Sequence, residues 1–440
     1  MRLPKGMPLL RVLQYRDFRI LWIGAFVSFT GGQISNLAQG YFVYQLTGDE
    51  AKLALIPFVW SMPVFLFGLV AGSFADRFDK RRVLILAQLL FGVNSLYMAA
   101  ATYWGFIQYW QIIVIAVMNG LIACVEMPTR QSIVSRVVPI DDLTAAIPVN
   151  AMTFNVARIA GPSIGGLILN SALGVFGCYL IDGISYLALV GSLRQIKSDL
   201  SPATRSTSSI KDLVIEGGLY AMRDIRLRTL WLLELATALF GLSYSALMPA
   251  YAKDVLAHGS DAGARRILSL AVVAIGVGAF SGLLLVTQLA HNRHKGWIIR
   301  GSIGMISVGL IGLSLTDQTV IALPFLALAG AGAIMQLNTT NALFQTLAPD
   351  RLHGRVLAMH IWALNGLSPF GVLMFGQIAR ATRDSTNLPV AGGVPFSFAL
   401  GGGIMAVILF GTFFIRAGLQ TLHRNPEGLD PLAPPGAASR

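Results

Sequence analysis

Runs of about twenty or more residues with almost no charge follow one another along nearly the whole chain, and that is the length an α-helix needs to cross a hydrocarbon layer of about 30 Å. In lipid the backbone N–H and C=O groups must bond one another, so such a chain is expected to be an all-α membrane protein. Its composition agrees: 55% of the 440 residues are hydrophobic and 12% charged, where a soluble domain carries about a quarter charged residues. Twelve transmembrane helices are expected, at 18–46, 53–75, 83–106, 110–136, 142–170, 172–194, 228–257, 266–290, 297–315, 318–347, 353–379 and 394–418. The first is too long for a secretory h-region and lacks a small-residue cleavage site, so it is read as a retained helix.

The chain holds 33 basic and 21 acidic residues, an excess that in a soluble protein would suggest nucleic acid. Its distribution points to topology instead. With both termini placed inside, 25 basic residues fall in cytoplasmic segments or toward the cytoplasmic ends of spans, 6 in or next to segments on the opposite side, and Arg19 and Arg158 are assigned to neither side. That asymmetry is the positive-inside pattern of a multi-pass protein, expected in a bacterial cytoplasmic membrane, with the lipid bilayer as partner and no nucleic acid. Cys124 and Cys178 lie within spans without CxxC spacing and read as small buried side chains.

Residues 195–227 interrupt the apolar pattern with SDLSPATRSTSS and then KDLVIEGGLYAMRD, whose 211–224 portion suits an amphipathic surface helix. This divides the chain into an N-terminal six-helix bundle (1–194), a cytoplasmic linker (195–227), a C-terminal six-helix bundle (228–420) and a Pro- and Gly-rich disordered cytoplasmic tail (421–440). The halves resemble each other. An offset of 210 lays VVPIDDL over LAPDRLH, with Pro139 over Pro349, and Gly161 and Gly166 over Gly371 and Gly376. At an offset of 216, Asp76 and Arg77 fall on Asn292 and Arg293 of LAHNRHKG. Parallel six-helix repeats suit alternating access, with a substrate site between the halves.

Gly68 to Arg82 read GLVAGSFADRFDKRR: Gly68 and Gly72 share a helix face, and Asp76, Arg77, Arg81 and Arg82 mark a tight loop at the membrane surface. The spacing GxxxGxxxDRxxxRR resembles the gating loop between the second and third helices of the major facilitator superfamily. VEMPTRQSIVSRVVP and ARIAGPSIGGLI are similar to the superfamily branch that holds the enterobactin exporter and macrolide efflux proteins, and the resemblance runs nearly end to end. Within it, Ala157, Gly161, Pro162, Gly165 and Gly166 resemble the GxxxGPxxGG motif of superfamily antiporters, with Ala157 in place of the first glycine. Pro162 removes a backbone donor and the glycines allow close approach, so a structural hinge and an antiport role both fit.

Ionisable groups within spans are functional candidates by default. Glu126 lies seven residues after Asn119 and four before Arg130, close to one face of the fourth helix. The architecture that the resemblance implies would turn that face toward the cavity, where a buried carboxyl exchanges protons. An intrahelical Glu126–Arg130 pair is the other reading. Arg158 would neutralise Glu126 or meet an anionic substrate, Asp182 suits structural hydrogen bonding, and Glu234 lies near the inner surface with snorkelling available. These four are the proton-coupling candidates. His360, with no acidic neighbour in sequence, reads as packing.

Gln33 and Asn36, Thr237 and Tyr244, and Asn338, Asn341 and Gln345 recur at spacings of three, four or seven. The resemblance places the first, fourth, seventh and tenth helices around the cavity, so these residues and Asn119 are substrate-contact candidates. Interhelical hydrogen bonding would produce the same stripes. No nucleotide-binding loop, paired metal ligands or nucleophile triad appears, so no enzyme, cofactor or metal is expected, and the His291, His294 pair reads as solvated. The resemblance implies a monomeric secondary transporter that exports an amphipathic small molecule, such as a siderophore or drug, by proton antiport. Uptake by the same fold, and a non-transporting receptor or assembly protein, are the competing readings.

Overall fold

The computed structural model describes residues 8–75, 78–139, 142–201, 220, 222–289, 295–347 and 366–414. Outside these lie Asp76 and Arg77, linker residues 202–219 and 221 with most of the 211–224 segment, residues 290–294 with His291 and His294, 348–365 with His360, and the tail from 415. The side chain of Gln345 and the surroundings of Gly68 and Gly72 also fall outside the description.

The described residues form helices and no strand. After a 3-10 turn at Pro8–Gln14 come α1 (Arg16–Thr47), α2 (Glu50–Ala75), α3 (Lys80–Tyr103), α4 (Tyr109–Val137), α5 (Leu143–Leu169) and α6 (Gly174–Gln195). Then follow α7 (Ile225–Ala236), α8 (Tyr244–Ala250), α9 (Asp261–Gln288), α10 (Lys295–Ser314), α11 (Thr319–Leu347), α12 (Ser368–Thr382) and α13 (Val394–Phe414). Among the described residues, nine helical segments are long and apolar enough to cross a membrane.

Local sequence sets the helix ends. Gly48 closes α1 in the left-handed region at φ 58°, its N–H bonding the Tyr44 carbonyl at 2.8 Å. Asp79 caps α3, accepting from the Arg82 amide at 3.0 Å. Gln108 and Gln111 form a reciprocal capping box at the start of α4.

One expected span is not a single helix. Residues 228–257 fall on α7, a π turn at Thr237–Gly241, α8, and a second π turn at Tyr251–Leu256. The wider turns are held by Leu242 N–H to Thr237 O at 3.0 Å and Ala257 N–H to Ala252 O at 2.9 Å, five residues apart in each case. Pro249 in α8 has no N–H to give to the regular ladder, and such bulges interrupt helices where the backbone must be re-aimed.

The chain divides into two compact units: Met1–Gly48, Val59–Ser206 and Ala252–Val273 in one, and Asp49–Phe58, Thr207–Tyr251 and Ala274–Arg440 in the other. In the first unit α1 packs along α5 and α6, and α3 packs along α6 and α4. A Cβ on Gly120 would stand 2.1 Å from the Trp60 carbonyl oxygen, so α4 can lie on α2 only with hydrogen at that position. In the second unit α10 packs against α11 and α13.

The internal repeat has a structural counterpart. A Cβ on Gly161 of α5 would meet Thr30 and Gln33 of α1, and one on Gly371 of α12, 210 residues on, would meet Leu239 of the π turn that follows α7. Gly166 of α5 abuts Ser269 of α9, while Gly376 of α12 abuts Ala54 of α2, which lies 215 residues before Ser269. Each contact lies within one unit. The small residues therefore mark equivalent close crossings in the two halves of the sequence.

Candidate functional site

The polar interior of the first unit is built around α4. Glu126 and Arg130 are 6% and 7% exposed and meet at 2.7 Å, Arg130 Nε donating to Glu126 Oε1. Gln88 of α3 donates to the same oxygen at 3.4 Å and accepts from the Ser28 hydroxyl of α1 at 3.0 Å. The Arg130 guanidinium also stands 4.2 Å from the ring centre of Phe29 and 4.5 Å from that of Phe154, and the two rings meet edge to face at 4.1 Å. A buried cation is thus shared between a carboxylate one helical turn away and two aromatic faces.

Asn119, about two turns from Glu126 toward the other end of α4, accepts from Asn94 of α3 at 2.8 Å, a direct interhelical bond. Asp182 of α6 is buried and accepts from the Ser95 hydroxyl of α3 at 2.8 Å. Arg158 of α5 stands apart from both carboxylates: it is exposed, and among the described residues no acceptor, carboxylate or ring engages it. On α1, Asn36 is exposed and Gln33 half-buried. α5 continues unbroken through Pro162, and a Cβ on Gly165 would touch the backbone of Ile34, 3.2 Å away.

In the second unit Glu234 of α7 is 1% exposed. Thr237 and Tyr244 are also buried, Thr237 bonding back to the Leu233 carbonyl at 2.9 Å. Asn338 of α11 bonds back to the Ile334 carbonyl at 2.9 Å, and Asn341 is half-buried. The buried polar positions of α11 are others: Gln336, which accepts from Ser302 of α10, and Thr339 and Thr340. The stripe reading by threes, fours and sevens passed over these, as it did Gln88, Ser28 and Ser95. Their signal was weak, single neutral polar residues inside apolar runs, and it becomes visible only when a partner helix supplies the second half of the pair.

At the membrane-surface loop Arg81 donates from Nη2 to the carbonyls of Ile196 at 2.7 Å and Ser198 at 3.1 Å, while Arg82 is exposed. The same strand of chain after α6 is gripped by Asp17 at the start of α1. Its carboxylate accepts from the amides of Lys197 and Ser198 at 2.9 and 2.8 Å and from the Ser198 hydroxyl at 2.7 Å. Burial pushes the Asp17 carboxyl up, but these donors and the neighbouring Arg16 outweigh it and hold it below the usual carboxylate range. Arg81 and Asp17 together tie the start of the linker to the ends of α3 and α1.

Among the described residues no cluster of His, Cys, Asp and Glu is suited to hold a metal, and Cys124 and Cys178 are buried and unbridged. The site so far is a set of ionisable and polar groups on membrane-length helices.

Known proteins are similar to this chain in sequence and in fold. The Staphyloferrin A transporter of Staphylococcus aureus (strain NCTC 8325 / PS 47) is 24% identical over 364 residues, covering 81% of this chain and 87% of that protein. The Multidrug efflux pump Tap of Mycolicibacterium fortuitum is 24% identical over 391 residues, covering 85% and 90%. In fold, the chain is similar to a bacterial homolog of the human lysosomal transporter Spinster, with a TM-score of 0.73, 12% identity and coverage of 96% of this chain and 100% of that one. Residues 10–407 match the Transmembrane secretion effector family. With membrane-length helices, buried ionisable groups and relatives that are transporters rather than enzymes, the chain belongs to that family, within the major facilitator superfamily of multi-pass membrane transporters.

Proposed function

We propose that the protein exports an amphipathic small molecule across the bacterial cytoplasmic membrane in exchange for protons. In this reading it works as a monomer of twelve helices in two six-helix bundles, by alternating access, with both termini inside. The observation that carries the proposal is the buried Glu126–Arg130 pair, with Gln88 on the carboxylate and Phe29 and Phe154 against the guanidinium. Protonation of Glu126 removes the charge that holds Arg130 and leaves the two rings as its partners. The pair thereby reports proton occupancy to α1 and α5, which carry those rings. The name of the mycolicibacterial relative, an efflux pump, supports the outward direction. The loop from Gly68 to Arg82, with Asp76 bracing the inner ends of the helices in one conformation, is read as the gate.

The test is Glu126→Gln in reconstituted vesicles, with substrate exchange and pH-gradient-driven export measured side by side. Exchange needs no net proton movement and is expected to survive while uphill export is lost. Unchanged gradient-driven export removes Glu126 from coupling. Equal loss of both activities makes the pair structural, and accumulation in the direction opposite to the gradient prediction makes the protein an uptake system.

A further inference from the structure

The two crossings that the repeat makes equivalent are joined by different chemistry. In the first unit α5 meets α9 at Gly166 and Ser269, and the hydrogen bonds there run between neutral groups. Asn170 donates to the Ser269 hydroxyl at 2.8 Å and to the Arg265 carbonyl at 3.3 Å, and Ser269 donates to the Gly166 carbonyl at 3.0 Å. In the second unit α12 meets α2 at Gly376, where an added Cβ would stand 2.3 Å from the Ala54 Cβ and 2.8 Å from the Glu50 carbonyl oxygen. One turn on, Arg380 Nε lies 3.4 Å from Asp49 Oδ2, and Arg383, just past the end of α12, brings its Nε to 3.7 Å from Glu50 Oε1. Arg380 follows Asn170 by the 210 residues of the repeat. The ion pairs are therefore an addition to the crossing, which its counterpart makes with an amide and a hydroxyl.

Each charge also suits its own helix end. Asp49 caps α2, its Oδ1 accepting from the amides of Ala51 at 2.9 Å and Lys52 at 3.1 Å, which leaves Oδ2 to face Arg380. Glu50 stands in the first turn of α2 and the two arginines at the end of α12, the signs that helix dipoles favour there. The side chain of Glu50 is 2% exposed, whereas that of Arg383 is 42% exposed. Pairs with one exposed member, at separations longer than an ordinary hydrogen bond, are individually weak. That suits a contact made and broken repeatedly. Moving α12 away would also strip the enclosed Glu50 of its arginine, so the charges resist separation more than two surface pairs alone would.

We propose that Asp49, Glu50, Arg380 and Arg383 form an ionic latch that holds the end of α12 on the start of α2, and that its release opens this end of the protein during transport. The latch rests on the transporter reading above. It adds a second gate, at the opposite end of α2 from the Gly68–Arg82 loop.

The test follows the distance between spin labels on Lys52→Cys and Ser385→Cys, both exposed positions, in a protein with Cys124 and Cys178 replaced by alanine and held in lipid discs without substrate. By double electron–electron resonance the parent is expected to give mainly one short, closed distance. Arg383→Glu, which sets a like charge beside Glu50, is expected to raise the open fraction about fivefold, and adding Glu50→Gln to bring it back toward the parent. Raising NaCl from about 0.1 M to about 1 M is expected to increase the open fraction of the parent. The same change should leave a variant with Asp49→Asn, Glu50→Gln, Arg380→Gln and Arg383→Gln unmoved, asparagine at 49 keeping the helix cap. An unchanged distance distribution in Arg383→Glu, no return with Glu50→Gln, or a parent that responds to salt no more than the neutralised variant overturns the latch. The salt response of the parent needs no substitution within the latch, so a variant that fails to insert does not shield the proposal. None of these readings needs transport. Failure of the gradient-driven export test with the latch responses intact counts against the export reading alone, and absent latch responses with export intact count against the latch alone.

Discussion

Glu126 and Arg130, one helical turn apart on α4, are joined at 2.7 Å in the interior of the first unit, and Arg158 of α5 takes no part in the pair. The two arginines thus have different situations. Arg130 is satisfied by protein, and its removal is a matter of stability and coupling. Arg158 is exposed, and among the described residues it has no such partner.

Breaking the pair from one side leaves the other charge buried without its counter-ion. Arg130→Gln is expected to lower stability by about 3–5 kcal/mol, and Arg130→Gln with Glu126→Gln to cost clearly less than the sum of the single changes. Thermal unfolding in detergent of the two single variants and the double variant checks this. Additive losses would mean that the pair contributes no coupling energy.

The grip of Asp17 on Lys197 and Ser198 has a definite pH dependence. Its carboxyl sits below the usual range in the folded protein, so its contribution is present in full above the unfolded value of about 3.8 and disappears as pH falls through the lower folded value. Hydrogen exchange of the 196–200 segment, corrected for intrinsic rates, is expected to show the same protection at pH 7 and pH 5. Asp17→Asn should weaken protection at both. Protection that vanishes between pH 7 and pH 5 in the parent protein contradicts this assignment.

Arg81 holds the same segment from the other side. Arg81→Ala is expected to raise the rate of proteolytic cutting just after α6 several-fold without preventing membrane insertion, since two charge-assisted hydrogen bonds to backbone carbonyls are lost. Limited proteolysis of membrane vesicles reads the outcome, and an unchanged cutting pattern would show that Asp17 alone suffices.

For the gate, Asp76→Asn is expected to abolish most transport at normal expression. Transport at several substrate concentrations is the measurement, and full activity would remove the carboxylate from the gating role.

The repeat-related glycines should respond alike. A Cβ at Gly166 falls 2.6 Å from the Ser269 hydroxyl, and one at Gly376 falls 2.3 Å from the Ala54 Cβ, so Gly166→Leu and Gly376→Leu each force α5 or α12 away from its neighbour. Both are expected to cost about 1–3 kcal/mol or more and to reduce transport together. A tolerated leucine at either position, judged by unfolding temperature and transport, would sever the equivalence of the two crossings.

Much of the architecture was legible because it is written locally. The apolar runs are properties of consecutive residues, and the structure puts helices along them among the described residues. The 210-residue offset was legible for a similar reason: glycines are retained where two helices cross closely, and Gly161 and Gly371 do cross their neighbours closely. The two π turns of the seventh span were not legible, because Pro249 and Gly241 permit a regular helix with a kink as readily as a widened turn.

Partners are where the sequence stopped. It gave Glu126 both Arg130 and Arg158 as candidate counter-ions, since one is a helical turn away and the other lies at similar depth on the next helix. Which one bonds depends on the rotation of α4 against α5, and that is fixed by distant contacts such as Gly120 on Trp60 and Gly161 on Gln33. The sequence by itself determined that the chain crosses a membrane on helices, because the length and polarity of each run are sums over neighbouring residues. Only the tertiary structure decided that Arg130 is enclosed and Arg158 is exposed, because exposure depends on which side chains of neighbouring helices are packed alongside, as Phe29 of α1 and Phe154 of α5 are against Arg130.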